Sequence, residues 1–361
     1  MIGWTLGGYL SVRFLQTIAA VFLMMSGMIY AVDFVELLRR AGNIQGVSAG
    51  DIAYLSFLRV PSGSEQIMPF CVLFGTMATF VILTRKLELL VARAIGVSAW
   101  GFLVPPLAIA AAAGIGSVVL FNPVSAVMKH RAGAIETRLF GRNGEQNNDT
   151  TLWIRQKSVD GEAFIRAGQV SADGTNLTSA AAYVYDRAGT FEQRIAAQTG
   201  KLLPGVWQFD HARVTAPGEE SFAAGTYLLA TSLSPEEAVR GLIASDSVPF
   251  WDLPSLRAAA ETAGVDGTRY RLQFHMLLAR PLLFIAMVLI AAAFSLRFFR
   301  FGGIEKMVSG GVGAGFVLYV AVKFVGDMGG VGLLSPLAAA WSPAVVASLL
   351  GAFALLNQED G

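Results

Sequence analysis

Leu152-Trp153-Ile154-Arg155-Gln156, Ala163-Phe164-Ile165-Arg166, Ala182-Tyr183-Val184-Tyr185 and Val206-Trp207-Gln208-Phe209-Asp210-His211-Ala212-Arg213-Val214 are short segments in which apolar and polar side chains alternate. A period of two, carried by aromatic and β-branched residues, is the pattern of half-buried strands. Around them stand Asp160-Gly161, Asp173-Gly174, Ala188-Gly189, Pro204-Gly205 and Pro217-Gly218, dipeptides that supply a preset φ or the positive φ of a tight turn. Turns at this spacing predict an antiparallel sandwich or jelly roll rather than βαβ units.

On both sides of this polar middle, from about Lys129 to Arg271, the sequence becomes almost continuously apolar. Runs long enough to cross a bilayer precede it at about Phe14–Val32, Pro61–Leu83 and Phe102–Phe121, and follow it at about Pro281–Leu296, Val308–Val325 and Trp341–Leu356. With 54% hydrophobic and 15% charged residues among 361, and a mean hydropathy of +0.55, the chain is too apolar for an ordinary soluble protein. The expected fold is membrane α-helical, six transmembrane helices arranged 3+3, with an inserted antiparallel β-jellyroll-like domain. Residues 1–128 would hold spans 1 to 3, residues 129–271 the β domain and residues 272–361 spans 4 to 6. Arg13 precedes the first run as in a secretory signal, but the run exceeds a signal's apolar region and reads as a retained helix. Cys71, the one cysteine, lies in an apolar run, so the β domain is expected to fold without disulfides. A net charge of +1 argues against a general polyanion binder, and no nucleic-acid partner is expected.

Span 1 leads into Asp33-Phe34-Val35-Glu36-Leu37-Leu38-Arg39-Arg40-Ala41-Gly42, where the helix continues, Glu36 can pair with Arg40, and Gly42 can stop the helix. Arg39 and Arg40 fall at headgroup depth, where phosphates or simple interfacial anchoring would engage them. Glu65 reads as lying near the start of span 2, the cheaper place for a carboxylate, and is assigned no role. Residues 84–100 carry Leu87, Leu90, Val91 and Ala94 on one helical face, with Lys86, Glu88 and Arg93 elsewhere and Gly96 as the stop. Such a helix in a tight loop lies at the membrane surface and binds lipid or a partner. Span 3 would exit at Asn122-Pro123, followed by the basic cluster Lys129-His130-Arg131; span 5 carries Gly311 and Gly315 in a small-xxx-small spacing, with Lys323 near its end. Short-loop cations Arg85, Lys86, Arg93, Arg297, Arg300 and Lys306 outnumber Arg39, Arg40 and Arg59 opposite, which puts both termini and the amphipathic loop in the cytoplasm and the β domain outside it.

Gly46-Val47-Ser48-Ala49-Gly50 matches the G-x-S-x-G nucleophile elbow, but it lies between membrane helices rather than between a strand and a helix. His130, His211 and His275 are scattered, so no metal is expected, and Gly200-Lys201-Leu202 lacks the rest of a P-loop. No cofactor is expected. If the chain takes part in active transport, another subunit must hydrolyse the nucleotide.

Span 1 with Asp33 and Leu38-Arg39-Arg40-Ala41-Gly42, the loop Leu87-Glu88-Leu89-Leu90-Val91-Ala92-Arg93-Ala94-Ile95-Gly96, Leu152-Trp153-Ile154, and Arg269-Tyr270-Arg271-Leu272-Gln273 leading to Pro281 together resemble the LptF/LptG family of lipopolysaccharide export permeases, with more likeness to LptG. The resemblance implies a non-catalytic inner-membrane permease that pairs with an LptF-like six-span partner and a cytoplasmic LptB-like ATPase dimer. It would extract lipopolysaccharide and pass it to LptA/LptC-like periplasmic and membrane-anchored bridge components. Glu88, Arg93 and Gly96 would lie in the helix that couples to the ATPase, and spans 1 and 5 would form lateral gates. Arg39 and Arg40 match basic positions facing lipid phosphates; Lys129, Arg131 and Lys323 are further candidates by charge and placement. LptG members tend to carry another basic residue inside span 1, where this chain has Tyr30-Ala31.

An acyl chain of about a dozen carbons exposed to water costs roughly 10 kcal/mol, so the lipid needs a covered route. Trp153, Phe164, Ile165, Trp207 and Phe209 are the expected lining of that route in the β domain. Two other readings stand beside this one: an ion-coupled secondary transporter of an amphiphile, which calls for buried acids or broken helices at mid-membrane, and a membrane-anchored hydrolase using Ser48.

Overall fold

The computed structural model describes residues 4–42, 47–94, 96, 98–140, 152–158, 161–170, 176–186, 190–218, 220–231, 248–262, 267–301 and 304–359. The chain divides into two compact units. The first comprises Met1–Ile135, Pro249–Trp251 and Arg271–Gly361, and the second Glu136–Val248 and Asp252–Tyr270.

The helices of the first unit are α1 (Trp4–Ala41), α2 (Ala49–Arg85), α3 (Glu88–Ala94), α4 (Ala99–Gly116) and α5 (Asn122–Phe140, which runs on into the second unit). In the second unit lies α6 (Leu253–Thr262), and α7 (Thr268–Phe301), α8 (Ile304–Gly330) and α9 (Pro336–Glu359) follow among the described residues. Among the described residues six helical stretches are long and apolar enough to cross a membrane, the third running from α4 into α5. Lipid offers helices no hydrophobic reason to associate, so close approach and polar contacts must hold them. Along α1 and α2 both are present. Gly75 lets the backbone of Ile18 come so near that a Cβ there would meet its Cα at 2.7 Å. Ser64 Oγ donates to Ser26 Oγ at 2.8 Å, Thr17 and Thr79 share a short hydroxyl bond, and Arg59 pairs with Asp33 at 3.4 Å. Gly42 N donates to Leu38 O at 3.0 Å where α1 ends, as the glycine there suggested. The small-xxx-small pair of span 5 is a packing face: α8 lies against α2 with Gly311 at Met77 and Gly315 at Leu73.

Ser48 caps α2. Its Oγ accepts from Asp51 N at 3.1 Å and donates to Asp51 Oδ2 at 2.8 Å, a capping box. That accounts for the serine of the apparent nucleophile elbow; Gly46 lies outside the described residues.

The third span does not stop at Asn122-Pro123. Ser117–Phe121 widens into a π-helical turn, Asn122 N donates to Ser117 O, and α5 continues to Phe140. Proline has no N–H to give the preceding turn, and a local change of helical pitch is a common way to accommodate it.

In the second unit β1 (Leu152–Ser158), β2 (Gly161–Ala167), β3 (Gln169–Val170), β4 (Asn176–Tyr185), β5 (Phe191–Leu203), β6 (Val206–Thr215) and β7 (Phe222–Ala230) form one antiparallel sheet. Neighbours follow the order β1-β2-β4-β5-β6-β7, with β3 also on β4. Gly205 and Gly218 have φ of +80° and +82°, as their Pro-Gly turns require. Asp160, Asp173-Gly174 and Ala188-Gly189 lie outside the described residues. One face is buried as a single cluster of Ala163, Ile165, Leu177, Ile195, Trp207, Phe209, Val214 and their neighbours.

A crease crosses this sheet. Ser179 and His211 have φ of +53° and +54°, and Gly225 has +57°. By register, Ser179 falls opposite Gln198, Gln198 opposite His211, and His211 beside Gly225. The buried positions change parity there, from Leu177 to Ala180 in β4, from Ala197 to Gly200 in β5 and from Phe209 to Ala212 in β6. One extra residue would turn a strand over; repeated at the same level in adjacent strands it keeps the same side of the sheet inward and bends it. A Cβ on Gly225 would meet nothing within 4 Å, so Gly225→Ala should cost only the left-handed backbone penalty, about 1–2 kcal/mol. Chemical unfolding of the full chain, followed by intrinsic tryptophan fluorescence, measures it.

Candidate functional site

Buried charge in the membrane unit converges on one place. Glu65, on α2 and 8% exposed, receives two bonds at the same oxygen, Oε1: Arg280 Nη1 of α7 at 2.5 Å and Asn122 Nδ2 of α5 at 2.8 Å. The Asn122 Oδ1 in turn accepts from the backbone N of Phe250 at 2.8 Å. Phe250 stacks on Phe274 of α7, ring centroids 5.1 Å apart and 6° from parallel. Local sequence explains how these groups meet. Gly114 of α4 admits the backbone of α7 at Pro281, where any side chain would collide with Pro281 Cα, and the adjacent Arg280 is thereby set against α2. The π-turn before Asn122 re-aims that side chain inward. Glu65, read from the sequence as lying near the start of span 2 and given no role, is thus a buried, ion-paired carboxylate. It is sixteen residues into α2, and Arg280 makes it tolerable. The partners stand 57 and 215 residues away, and no local pattern marks them.

The amphipathic loop differs from the single helix expected over residues 84–100. α2 continues to Arg85, Leu87 turns the chain with φ +60°, and α3 is seven residues long; Gly96, at φ +87°, lies beyond it. Leu89 of α3 is buried, whereas Leu87 and Val91 are 57% and 56% exposed. Most of the expected apolar face thus points away from the bundle, with Ala94 also exposed. The Glu88 Oε1 accepts from Tyr9 Oη of α1 at 3.2 Å, and Tyr9 Oη also accepts from Arg13 Nε at 3.4 Å. The side chains of Leu90 and Arg93 lie outside the described residues.

The basic candidates are dispersed. Arg39 and Arg40 both bind Glu36, at 3.1 and 3.0 Å, so the two guanidiniums share one carboxylate and stay largely exposed. Lys323 reaches Asp327 at 3.9 Å on the exposed side of α8. Lys129 and Arg131 lie on α5, Lys129 half-buried with interactions of its own and Arg131 exposed. In the sheet, Ile165, Trp207 and Phe209 are fully buried. Phe164 is on the other face, in an edge-to-face contact with Tyr185 at 5.6 Å, as adjacent strand residues must be. Trp153 pairs in register with Arg166; its side chain lies outside the described residues.

Among the described residues, six apolar spans, a β domain inserted between the third and fourth, and a short helix between the second and third define a multi-pass membrane protein. The model of the family "Lipopolysaccharide export system permease LptF/LptG" matches residues 8–357, and the chain belongs to that family. No curated protein matches it significantly.

Proposed function

We propose that the chain is the membrane subunit of an ATP-driven exporter that draws lipopolysaccharide from the inner membrane and hands it to a periplasmic bridge. Family membership over residues 8–357 carries this reading. ATP hydrolysis would come from a cytoplasmic ATPase dimer and the second half of the pathway from a homologous permease. Two features of the chain support the assembly. Its α1 and α8 are the least covered of the six spans, as helices that meet a partner or lipid must be. The outward side chains Leu87, Val91 and Ala94 offer the ATPase an apolar edge beside Glu88. In this reading both termini are cytoplasmic and the β domain periplasmic, and Arg39, Arg40, Lys129, Arg131 and Lys323 attract lipid phosphates. At Arg39 and Arg40 the phosphates compete with Glu36.

Affinity purification from the native host in mild detergent, with mass spectrometry of the co-purifying proteins and lipids, tests the proposal. A soluble ATPase, a second six-span chain and lipopolysaccharide are the expected companions. The chain alone, with no nucleotide-binding protein, would move the ion-coupled transporter forward.

A finer result is expected at the loop. Glu88→Ala should reduce recovery of the ATPase and lower lipid-stimulated hydrolysis, by roughly tenfold if one charge-assisted bond of about 1.5 kcal/mol is lost. Tyr9→Phe removes only the hydroxyl that holds Glu88 and should give a smaller loss in the same direction. Normal co-purification and turnover in Glu88→Ala would contradict the assignment.

A further inference from the structure

Pro249–Trp251 clusters with the membrane unit although the residues on either side of it, up to Val248 and from Asp252, belong to the β unit. It is a three-residue foothold, and two contacts hold it: the Phe250 N–H on the Asn122 amide oxygen and the Phe250 ring on Phe274. Through its other end the same amide donates to Glu65, whose Oε1 also binds Arg280. We propose that Asn122 is a positioning residue that fastens this foothold to α2, α5 and α7, so that a shift of those helices is delivered to the chain entering and leaving the β domain.

Side-chain chemistry restricts what could do this. The position needs a donor toward Glu65 and an acceptor toward Phe250, and a primary amide supplies both from one planar group. A leucine of similar size loses both; an aspartate keeps the acceptor and can donate to Glu65 only while it is protonated. The helix is reshaped at this level as well: a π-turn immediately precedes Asn122, and such turns, here also accommodating Pro123, are frequent at functional sites. Glu65 and Arg280 complete the fastening. A neutral hydrogen bond alone would be readily exchanged, whereas Glu65 is held in place by its ion pair with Arg280 and gives Asn122 a fixed acceptor. Movement of the foothold therefore strains contacts to three helices at once. The consequence for lipid transfer rests on the exporter reading above; the fastening itself does not.

Two measurements on the assembled transporter test it: hydrogen exchange of the peptide containing Phe250, and the ratio of lipopolysaccharide-stimulated to basal ATP hydrolysis. Asn122→Leu should speed exchange at Phe250 by on the order of tenfold, the equivalent of one lost hydrogen bond, and should lower the stimulation ratio. Asn122→Asp should keep Phe250 protected and the ratio near the parent's at the acid end of the parent's active range, where the new carboxyl is protonated and can donate to Glu65, and should lose both as pH rises and the two carboxylates repel; a merely structural asparagine would give the ratio no such pH dependence. Unchanged Phe250 exchange in Asn122→Leu overturns the proposal, as does faster exchange with an unchanged ratio. Should Asn122→Leu fail to assemble, Phe274→Leu loosens the foothold from its other side and is judged by the same pair of outcomes. If wild-type hydrolysis shows no response to lipopolysaccharide, the exporter reading fails, and the exchange measurement still decides whether Asn122 fastens Phe250.

Discussion

Arg280→Met should destabilise the membrane unit by about 3–5 kcal/mol, Glu65→Met by a similar amount, and the double variant should recover more than half of that loss. The two side chains are 19% and 9% exposed and 2.5 Å apart. Removing either strands the other charge where neither water nor a counter-ion can reach it easily, and the stranded charge carries the cost. Methionine is unbranched and adaptable, as long as glutamate though two atoms shorter than arginine, so the double variant exchanges the pair for apolar packing that can adjust to the remaining gap. Recovery should be incomplete because Asn122 Nδ2 then has no acceptor, and a buried donor left unbonded costs about 1–3 kcal/mol. Loss of monodisperse protein on heating in detergent, compared across the four members of the cycle, reports the pattern. Single variants within about 1 kcal/mol of the parent would show that water reaches the pair, a double variant as unstable as either single would show that the ionic contact itself holds the helices, and one as unstable as the sum would show that the two side chains act independently.

The second large effect belongs to the sheet. Trp207→Ala should cost about 3–5 kcal/mol, because a fully buried aromatic leaves a cavity its neighbours only partly fill. Trp207 is 0% exposed and stacks on Phe209 with centroids 6.3 Å apart and planes 18° from parallel. Phe164→Ala, half-buried on the opposite face, should cost markedly less. Denaturant unfolding followed by fluorescence of the remaining tryptophans separates the two; equal losses would mean that both faces of the sheet are core. The contrast bears on lipid passage. Ile165, Trp207 and Phe209 line the inner cluster and touch one another's neighbours rather than solvent, so lipid reaches them only if the sheet opens. If the chain is the exporter subunit proposed above and its β domain carries the lipid, photo-crosslinkers at positions 207 and 209 should trap lipopolysaccharide during ATP turnover and not before it. Adducts at Phe164 alone would place the path on the outer face.

Periodicity and run length, which depend on residues a few places apart, already define the architecture in the sequence: apolar runs become spans, alternating segments become β1, β2, β4 and β6, and Gly42, Gly205 and Gly218 end or turn elements where expected. Three strands escape that reading. β3 is only two residues long. β5 loses its alternation at Gln198-Thr199, where the crease shifts the buried parity, and β7 is rich in Ala and Gly. The family was legible too, from residue motifs spread along the chain, and its model matches residues 8–357. Which side of a helix is covered was not. Leu89 is buried and Leu87 and Val91 exposed because the neighbouring helices and the turn at Leu87 choose the face. The tertiary structure alone decided the fate of Glu65. A carboxylate's cost in a membrane depends on what stands within a few ångströms of it, and its partners arrive from α5 and α7 only when Gly114 lets Pro281 close in and a π-turn aims Asn122.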